Sequence, residues 1–499
     1  MDIQTLTQKL KELQRRLHVF SHAMGVLEYD AETAAPRLSE AGRGETVGVL
    51  SQLSYELLIN NQARDFLHEA RQKSAELDPQ TRREAEELYR DYTKSVCIPK
   101  EEVVAYTRLV NKATSVWHDA KEKDNFESFR PCLQELVEMN IRFARYRDSA
   151  KLPYDVLLDE YDPGISQQYL DAYFGHLREE LVPVVHAVTK AGQPDTAWLE
   201  GHYPTALQET LARRVMAMMK VDTGRCALAQ SEHPFTTNFN NRDVRITTHY
   251  YEDNLLSSLY SVIHEAGHAL YELGIADELQ YGRLAGGVSM GVHESQSRLC
   301  ENMLGRSLPF AEALLPVLAE SFPDTFKGVD AQQLYRALNV SVPSLIRTDA
   351  DELTYSMHIM VRYELEKALF DGSLRVEELP GAWKELYQKY LGVAPENDRE
   401  GVLQDVHWSN GSFGYFPSYS IGSAYAAQFY AAMDKEVDID AALRASDFAP
   451  INAWLDEKVH RHGGLLKPDA LMLSATGKAF DAGYYTSYLT KKYSALYHL

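Results

Sequence analysis

The stretch "SVIHEAGHALYELG", residues 261–274, sets two histidines four apart, with a glutamate directly after the first, inside an otherwise apolar run. The run reads as a helix. Leu255, Leu256, Leu259, Val262, Ile263, Ala266, Ala269, Leu270 and Leu273 recur at three- and four-residue spacing as its buried stripe, and Gly274 can end it. On that helix His264 and His268 lie on one side a turn apart, close enough for two ring nitrogens to hold one ion. Glu265 is beside the first ligand but not on the ion, where a general base takes a proton from a water that the ion has acidified. A buried helix with polar residues left on one face accounts for the same stripe. H-E-x-x-H arises by chance roughly 0.05 times in a chain of this length and composition, so the motif alone is not decisive.

A catalytic zinc site needs a third protein ligand and an open position. Downstream, "GVSMGVHESQSRLCENMLG" (287–305) supplies Glu294, 26 residues beyond His268, at the start of another amphipathic helix. Upstream, "NRDVRITTHYYED" (241–253) breaks the helical pattern with β-branched and aromatic residues in period two, and reads as a strand leading into the HEAGH helix. Val244, Ile246 and Thr248 then share one face and Asp243, Arg245 and Thr247 the other. That polar face is either solvated or turned toward the site.

Around this centre the chain is helical, as in "IQTLTQKLKELQRRLHVF", "TRREAEELYRDYTKSV", "FESFRPCLQELVEMNIRFARYRD" and "HIMVRYELEKALFDG". The loosest stretch, "KAGQPDTAWLEGHYP" (190–204), reads as a loop between helices. With no linker, repeat or low-complexity tract, residues 1–499 are expected to form one catalytic domain. The composition, 45 % hydrophobic and 25 % charged, suits an ordinary globular protein. A net charge of -21 without clustered Lys and Arg argues against a nucleic-acid partner. Cys97, Cys132, Cys226 and Cys300 are scattered and read as reduced thiols. The charged amphipathic start lacks the apolar core of a signal peptide and no run is long enough to span a membrane, so a cytoplasmic location is expected.

Three further patches are unusual for helix interiors: "SEHPF" (231–235), "IRTDADE" (346–352) with Arg347 among acids, and "GVLQDVHWSNGSFGYFPSY" (401–419) with His407, Tyr415 and Tyr419 in a Gly-rich loop. Each alone has a structural explanation: a turn proline, a salt-bridged arginine, a packed loop. In order, HPF, DVRIT, HEAGH, HESQ, IRTDAD and GVLQDVHW resemble the carboxypeptidase Taq family of metallocarboxypeptidases, and the similarity runs to the closing "YLTKKYSALYHL".

The resemblance implies a mainly α fold similar to neurolysin and angiotensin-converting enzyme, with a small β-sheet flanking a deep active-site groove, in a homodimer. It implies one Zn2+ per chain, with Co2+ or Mn2+ as alternatives. The ion would be held by His264, His268 and Glu294, with Glu265 as base. It implies release of single C-terminal residues from short peptides with broad tolerance, though not before proline. By likeness to the wider helical peptidase group, His407 and Tyr419 hold the oxyanion, with Tyr415 in reserve. An exopeptidase also needs a cation for the substrate's terminal carboxylate, and a bidentate arginine suits it best. Arg347 is the first choice and Arg245 the second. The strand is expected to be an edge strand whose Asp243, Arg245 and Thr247 look into the groove, an Asp243–Arg245 contact closing it to long peptides. Two rivals remain: a metallo-oligopeptidase cutting internal bonds, and a non-enzymatic helical metal-binding scaffold.

Overall fold

Capping residues and apolar stripes set the helix ends that matter most here. In the computed structural model, which describes residues 1–499, Asn254 caps the helix Leu255–Gly274 by accepting from the Ser257 amide, and Ser289 caps the helix Met290–Arg298 through the Val292 amide. The first helix, α1, spans Ile3–Thr33. The HEAGH helix is α2 (Leu255–Gly274), the Glu294 helix is α3 (Met290–Arg298), and α3 continues into a π-helical turn over Leu299–Leu304. Helices α4 (Tyr355–Asp371) and α5 (Pro417–Met433) complete the surroundings of the site. Some 68 % of the chain is helical, so the expected mainly α class holds.

Two glycines let these helices approach. A Cβ on Gly267, inside HEAGH, would lie 2.5 Å from the Gln296 carbonyl oxygen, and one on Gly422 of α5 would lie 2.6 Å from Glu294 Cβ. A helix-interior glycine costs roughly 0.5–1 kcal/mol against alanine, so both positions exchange local helix stability for close backbone contact. The helices thus clamp α3 from two sides. Most buried apolar side chains form one core through the α2–α5 region, and a smaller core joins Leu6 and Leu10 of α1 to Leu67 and Leu88 of two neighbouring helices.

Three strands, β1 (Cys226–Gln230), β2 (Thr236–Asn240) and β3 (Asp243–Thr248), form a sheet in the order β1-β3-β2. β3 runs parallel to β1 and antiparallel to β2. The expected strand exists, but it is central and not at the edge. β2, "TTNFN", and β1, "CALAQ", are too short and too weakly alternating to announce themselves, so the strand that borders the site went unseen.

Val244 and Ile246 are fully buried on the face toward α2, where Thr248 also bonds to the Ser258 carbonyl. Asp243 and Arg245 lie on the opposite face, joined by two 2.9 Å hydrogen bonds, with the guanidinium 4.9 Å over the Tyr29 ring of α1. The expected Asp243–Arg245 contact is present, but α1 covers it. Thr247 shares that face but is open neither to the groove nor to solvent. It is fully buried, accepting from Ser231 Oγ and the Phe235 amide, because the chain at 231–235 folds back over it.

Candidate active site

His264, His268 and Glu294 converge, with one ligand atom from each within 4.8 Å of the others. Glu294 Oε2 is 3.5 Å from His268 Nε2 and 3.9 Å from His264 Nε2. Two ligands each 2.0–2.1 Å from one ion stand at most about 4.2 Å apart, so these separations suit a shared ion. The other atoms of each side chain are held from outside. His264 Nδ1 contacts Glu301 Oε2 at 2.8 Å, His268 Nδ1 contacts His293 Nδ1 at 2.6 Å, and Arg298 Nε donates to Glu294 Oε1 at 2.6 Å. Both imidazoles therefore turn Nε2 inward, and Glu294 turns Oε2 toward them. The donor set fits a divalent cation.

Charge supports the same arrangement. Burial would raise Glu294, but Arg298 and His264 hold its carboxyl well below the ordinary range. Burial would lower His264, but Glu294 and Glu301 outweigh it and raise it, whereas at His268 burial wins and lowers it to about 3. The Arg298 guanidinium, itself 4.3 Å over the Tyr355 ring, bonds Glu294 and reaches Glu301 at 3.3 Å, tying one ligand to the partner of another. Glu265 is buried beside His264 and accepts a 2.5 Å hydrogen bond from Thr236 Oγ1 of β2. Burial pushes its carboxyl upward.

The facing wall comes from residues 401–416 and α5. His407 Nε2 is 3.4 Å from the Tyr419 hydroxyl, and the Tyr415 ring centre is 5.2 Å from that of Tyr419. Tyr419 belongs to the first turns of α5 and not to the Gly-rich loop, since Pro417 starts the helix. Arg347 Nε donates to Asp405 Oδ1 at 2.9 Å, its Nη1 donates to Tyr355 Oη at 3.1 Å, and its guanidinium stacks 5.1 Å over Tyr419. Asp405 accepts from Arg362 as well, so two guanidiniums share one carboxylate. The cluster keeps a net positive charge.

Eight of the ten residues singled out from the sequence fall into these two walls, which meet where Gly422 rests on Glu294 and where Tyr355 touches both Arg298 and Arg347. Asp243 and Arg245 remain behind the sheet. The sequence reading missed Thr236, Glu272, His293, Arg298, Glu301 and Asp405. A signal existed for several of these, because Glu272 continues the His264–His268 spacing by four, and Arg298 and Glu301 follow Glu294 by four and seven on one helix face.

The family model described as carboxypeptidase Taq (M32) metallopeptidase matches residues 9–493. Carboxypeptidase 1 of Bacillus subtilis is 38 % identical over the whole of both chains, and thermostable carboxypeptidase 1 of Pyrococcus furiosus is 36 % identical over 96 % of each. The crystal structure of the M32 carboxypeptidase from Deinococcus radiodurans superposes with a TM-score of 0.96 at 36 % identity, covering 99 % of this chain and all of that one. The chain belongs to the carboxypeptidase Taq (M32) family of metallopeptidases and is a metallocarboxypeptidase.

Proposed function

We propose that this metallocarboxypeptidase uses one zinc ion, held by His264, His268 and Glu294, to release single residues from the C-termini of short peptides. Side-chain tolerance is broad and bonds before proline are spared. The enzyme acts as a cytoplasmic homodimer. No helix of the chain is long and apolar enough to cross a membrane.

The observation that supports exopeptidase action is Arg347. A guanidinium has five N–H donors. Asp405 and Tyr355 take three of them through Nε, Nη2 and Nη1, which leaves two for a ligand in a cluster of net positive charge. A terminal carboxylate fits such a site bidentately. With the peptide anchored there, Glu265 takes a proton from the attacking water and passes it to the leaving amine. His407 and Tyr419, with Tyr415 behind them, donate to the developing oxyanion. The ion, when bound, polarises the scissile carbonyl and acidifies the water.

Thr236 keeps the Glu265 carboxylate in one orientation. The Asp243–Arg245 pair, stacked under Tyr29, fixes α1 against the sheet and through it limits peptide length. A ladder of peptides sharing one C-terminus tests that limit: kcat/KM should fall with length in the parent and less steeply in Arg245→Ala, and a flat parent profile removes the role. For the main reading, metal analysis is paired with hydrolysis of a blocked dipeptide as free acid and as amide. Cleavage of both forms at one rate would replace the carboxypeptidase with an oligopeptidase.

A further inference from the structure

Behind His268 runs a row of hydrogen bonds that the reaction scheme does not use. His268 Nδ1 contacts His293 Nδ1 at 2.6 Å, and His293 Nε2 contacts Glu272 Oε1 at 2.7 Å. Glu272 Oε2 accepts from Asn238 Nδ2 of β2 at 2.6 Å, and the Gly287 amide donates to Glu272 Oε1 at 3.3 Å. Glu272 is buried, His268 and His293 are partly buried, and a Cβ on Gly287 would lie 2.6 Å from the His293 ring. The Gly287 backbone thus closes one side of that ring.

We infer that Asn238, Glu272 and His293 are positioning residues that fix the tautomer of His268 from strand β2, so that His268 offers Nε2, and only Nε2, to the ion. The polarity follows link by link. A backbone amide and an amide NH2 can only donate, so Glu272 accepts from both, and as a carboxylate, which has acceptors only, it accepts from His293 Nε2 as well. His293 as a neutral imidazole therefore carries its one proton on Nε2 and presents a lone pair at Nδ1. His268 must then hold its proton on Nδ1, which leaves the Nε2 lone pair directed at Glu294 Oε2. Outer partners of this kind commonly set ligand basicity and orientation in metal sites. His264 has an ordinary carboxylate in that place, Glu301, whereas at His268 an imidazole is interposed and the carboxylate stands one residue further out. β2 thus supports the ligand as well as the base, since Thr236 and Asn238 project from one face of the strand toward Glu265 and Glu272.

The inference rests on His268 being a metal ligand, and its test separates the two claims. Zn2+ affinity of the full-length protein is measured by competition with a chromophoric chelator, and the visible spectrum of the Co2+-loaded protein is recorded. Glu272→Gln puts an NH2 against either Asn238 or the His293 and Gly287 donors, so Zn2+ should bind about 10- to 100-fold more weakly, with a shifted Co2+ spectrum. Adding Asn238→Asp reverses the polarity of that one link and lets the amide oxygen face His293 again. The double variant should then return to within about 3-fold of the parent and recover its spectrum. Asn238 borders a cavity of about 410 Å3, so the exchange is sterically open. His293→Phe keeps the ring but has no nitrogen, and it should lose affinity whether or not the exchange is made. The inference is overturned if Glu272→Gln binds Zn2+ as the parent does, or if the double variant is no better than the single. Should Glu272→Gln fail to fold, parent-like affinity in His293→Phe overturns it. If instead His268→Ala keeps parental affinity, the metal site itself has been misread.

Discussion

On the α2–α3 side of the site the atoms that turn away from the centre have protein partners: His264 Nδ1 on Glu301, His268 Nδ1 on His293, Glu294 Oε1 on Arg298. On the facing side, His407 Nδ1 is buried without a partner, and Arg347 keeps two N–H donors free. A buried polar atom left unpaired costs about 1–3 kcal/mol, and native interiors rarely carry one without a reason. The contrast separates two tasks. One wall bonds its outward-turned atoms within the chain, while the other keeps polar groups unpaired beside the Arg347 cluster. Changes in the first wall should alter metal binding or the proton transfer, while in the second wall changes at Arg347 should alter substrate affinity and changes at His407 or Tyr419 the chemical step.

The sharpest way to break this division is within the first wall. Glu265→Gln leaves the three ligands untouched, so it should keep its metal while kcat falls by about 10²- to 10⁴-fold, the usual weight of a general base. Glu294→Ala should do the opposite at the level of binding, losing its metal on dialysis because two histidines leave the ion under-coordinated. Metal content of the two purified variants, read with their turnover, checks both. An active Glu265→Gln, or a fully loaded Glu294→Ala, would dissolve the assignment.

In the second wall, Arg347→Ala should raise KM for free-acid peptides by the worth of a charge-assisted hydrogen bond, about 1.5–3 kcal/mol, with a smaller change in kcat. Peptide amides should show little change. A variant that loses kcat and keeps KM would give Arg347 a catalytic role in place of a substrate-binding one.

A smaller effect concerns stability. Burial lowers the His407 imidazole to about 4, below its ordinary 6.5 in the unfolded chain. Between these values the unfolded chain binds more protons, so this contribution is complete above about pH 6.5 and is lost as the pH falls toward 4. From pH 6.5 to 5 it amounts to about 2 kcal/mol. His268 shifts in the same direction, so the comparison must be between parent and variant. Urea unfolding at pH 7 and pH 5 should show a smaller acid loss in His407→Gln than in the parent. Equal losses would mean that His407 is solvated in the folded protein.

The two walls also differ in how well the sequence exposed them. His264, Glu265 and His268 were legible because helix periodicity alone puts them together, and the helical class followed from the same periodicity elsewhere. Glu294 followed from the need for a third ligand on a second helix, whereas His407 and Tyr419 needed the likeness to known peptidases, because their approach depends on Gly422 and on the turn before Pro417, neither of which periodicity encodes. The sheet was read least well. β3 declared itself through Val244 and Ile246, but its central place depended on two strands whose residues, such as Thr236, Thr237 and Asn238, carry no alternation of apolar and polar side chains. Arg347 was found by asking what an exopeptidase requires. Its Asp405 partner lies 58 residues away and no local pattern connects them.

The smallest effect tests the seam between the regions, where β2 meets the base. Thr236 Oγ1 donates its single proton to Glu265 Oε2 at 2.5 Å, the nearer of two acceptors, with the Glu265 carbonyl oxygen 3.2 Å away. Thr236→Val keeps the shape and the strand preference of a β-branched residue while removing the donor. The metal ligands are unaffected, and no part of the Arg347 cluster is touched. What changes is the freedom of the Glu265 carboxylate, which then samples orientations away from the attacking water. A single net hydrogen bond is worth about 1 kcal/mol, so kcat should fall about 5-fold with KM and metal content unchanged. Thr236→Ser restores the hydroxyl without the methyl and should recover most of the loss, which a packing defect would not. If valine and serine behave alike, or if the loss falls on KM, β2 serves the substrate wall and the division between the two sides must be drawn elsewhere.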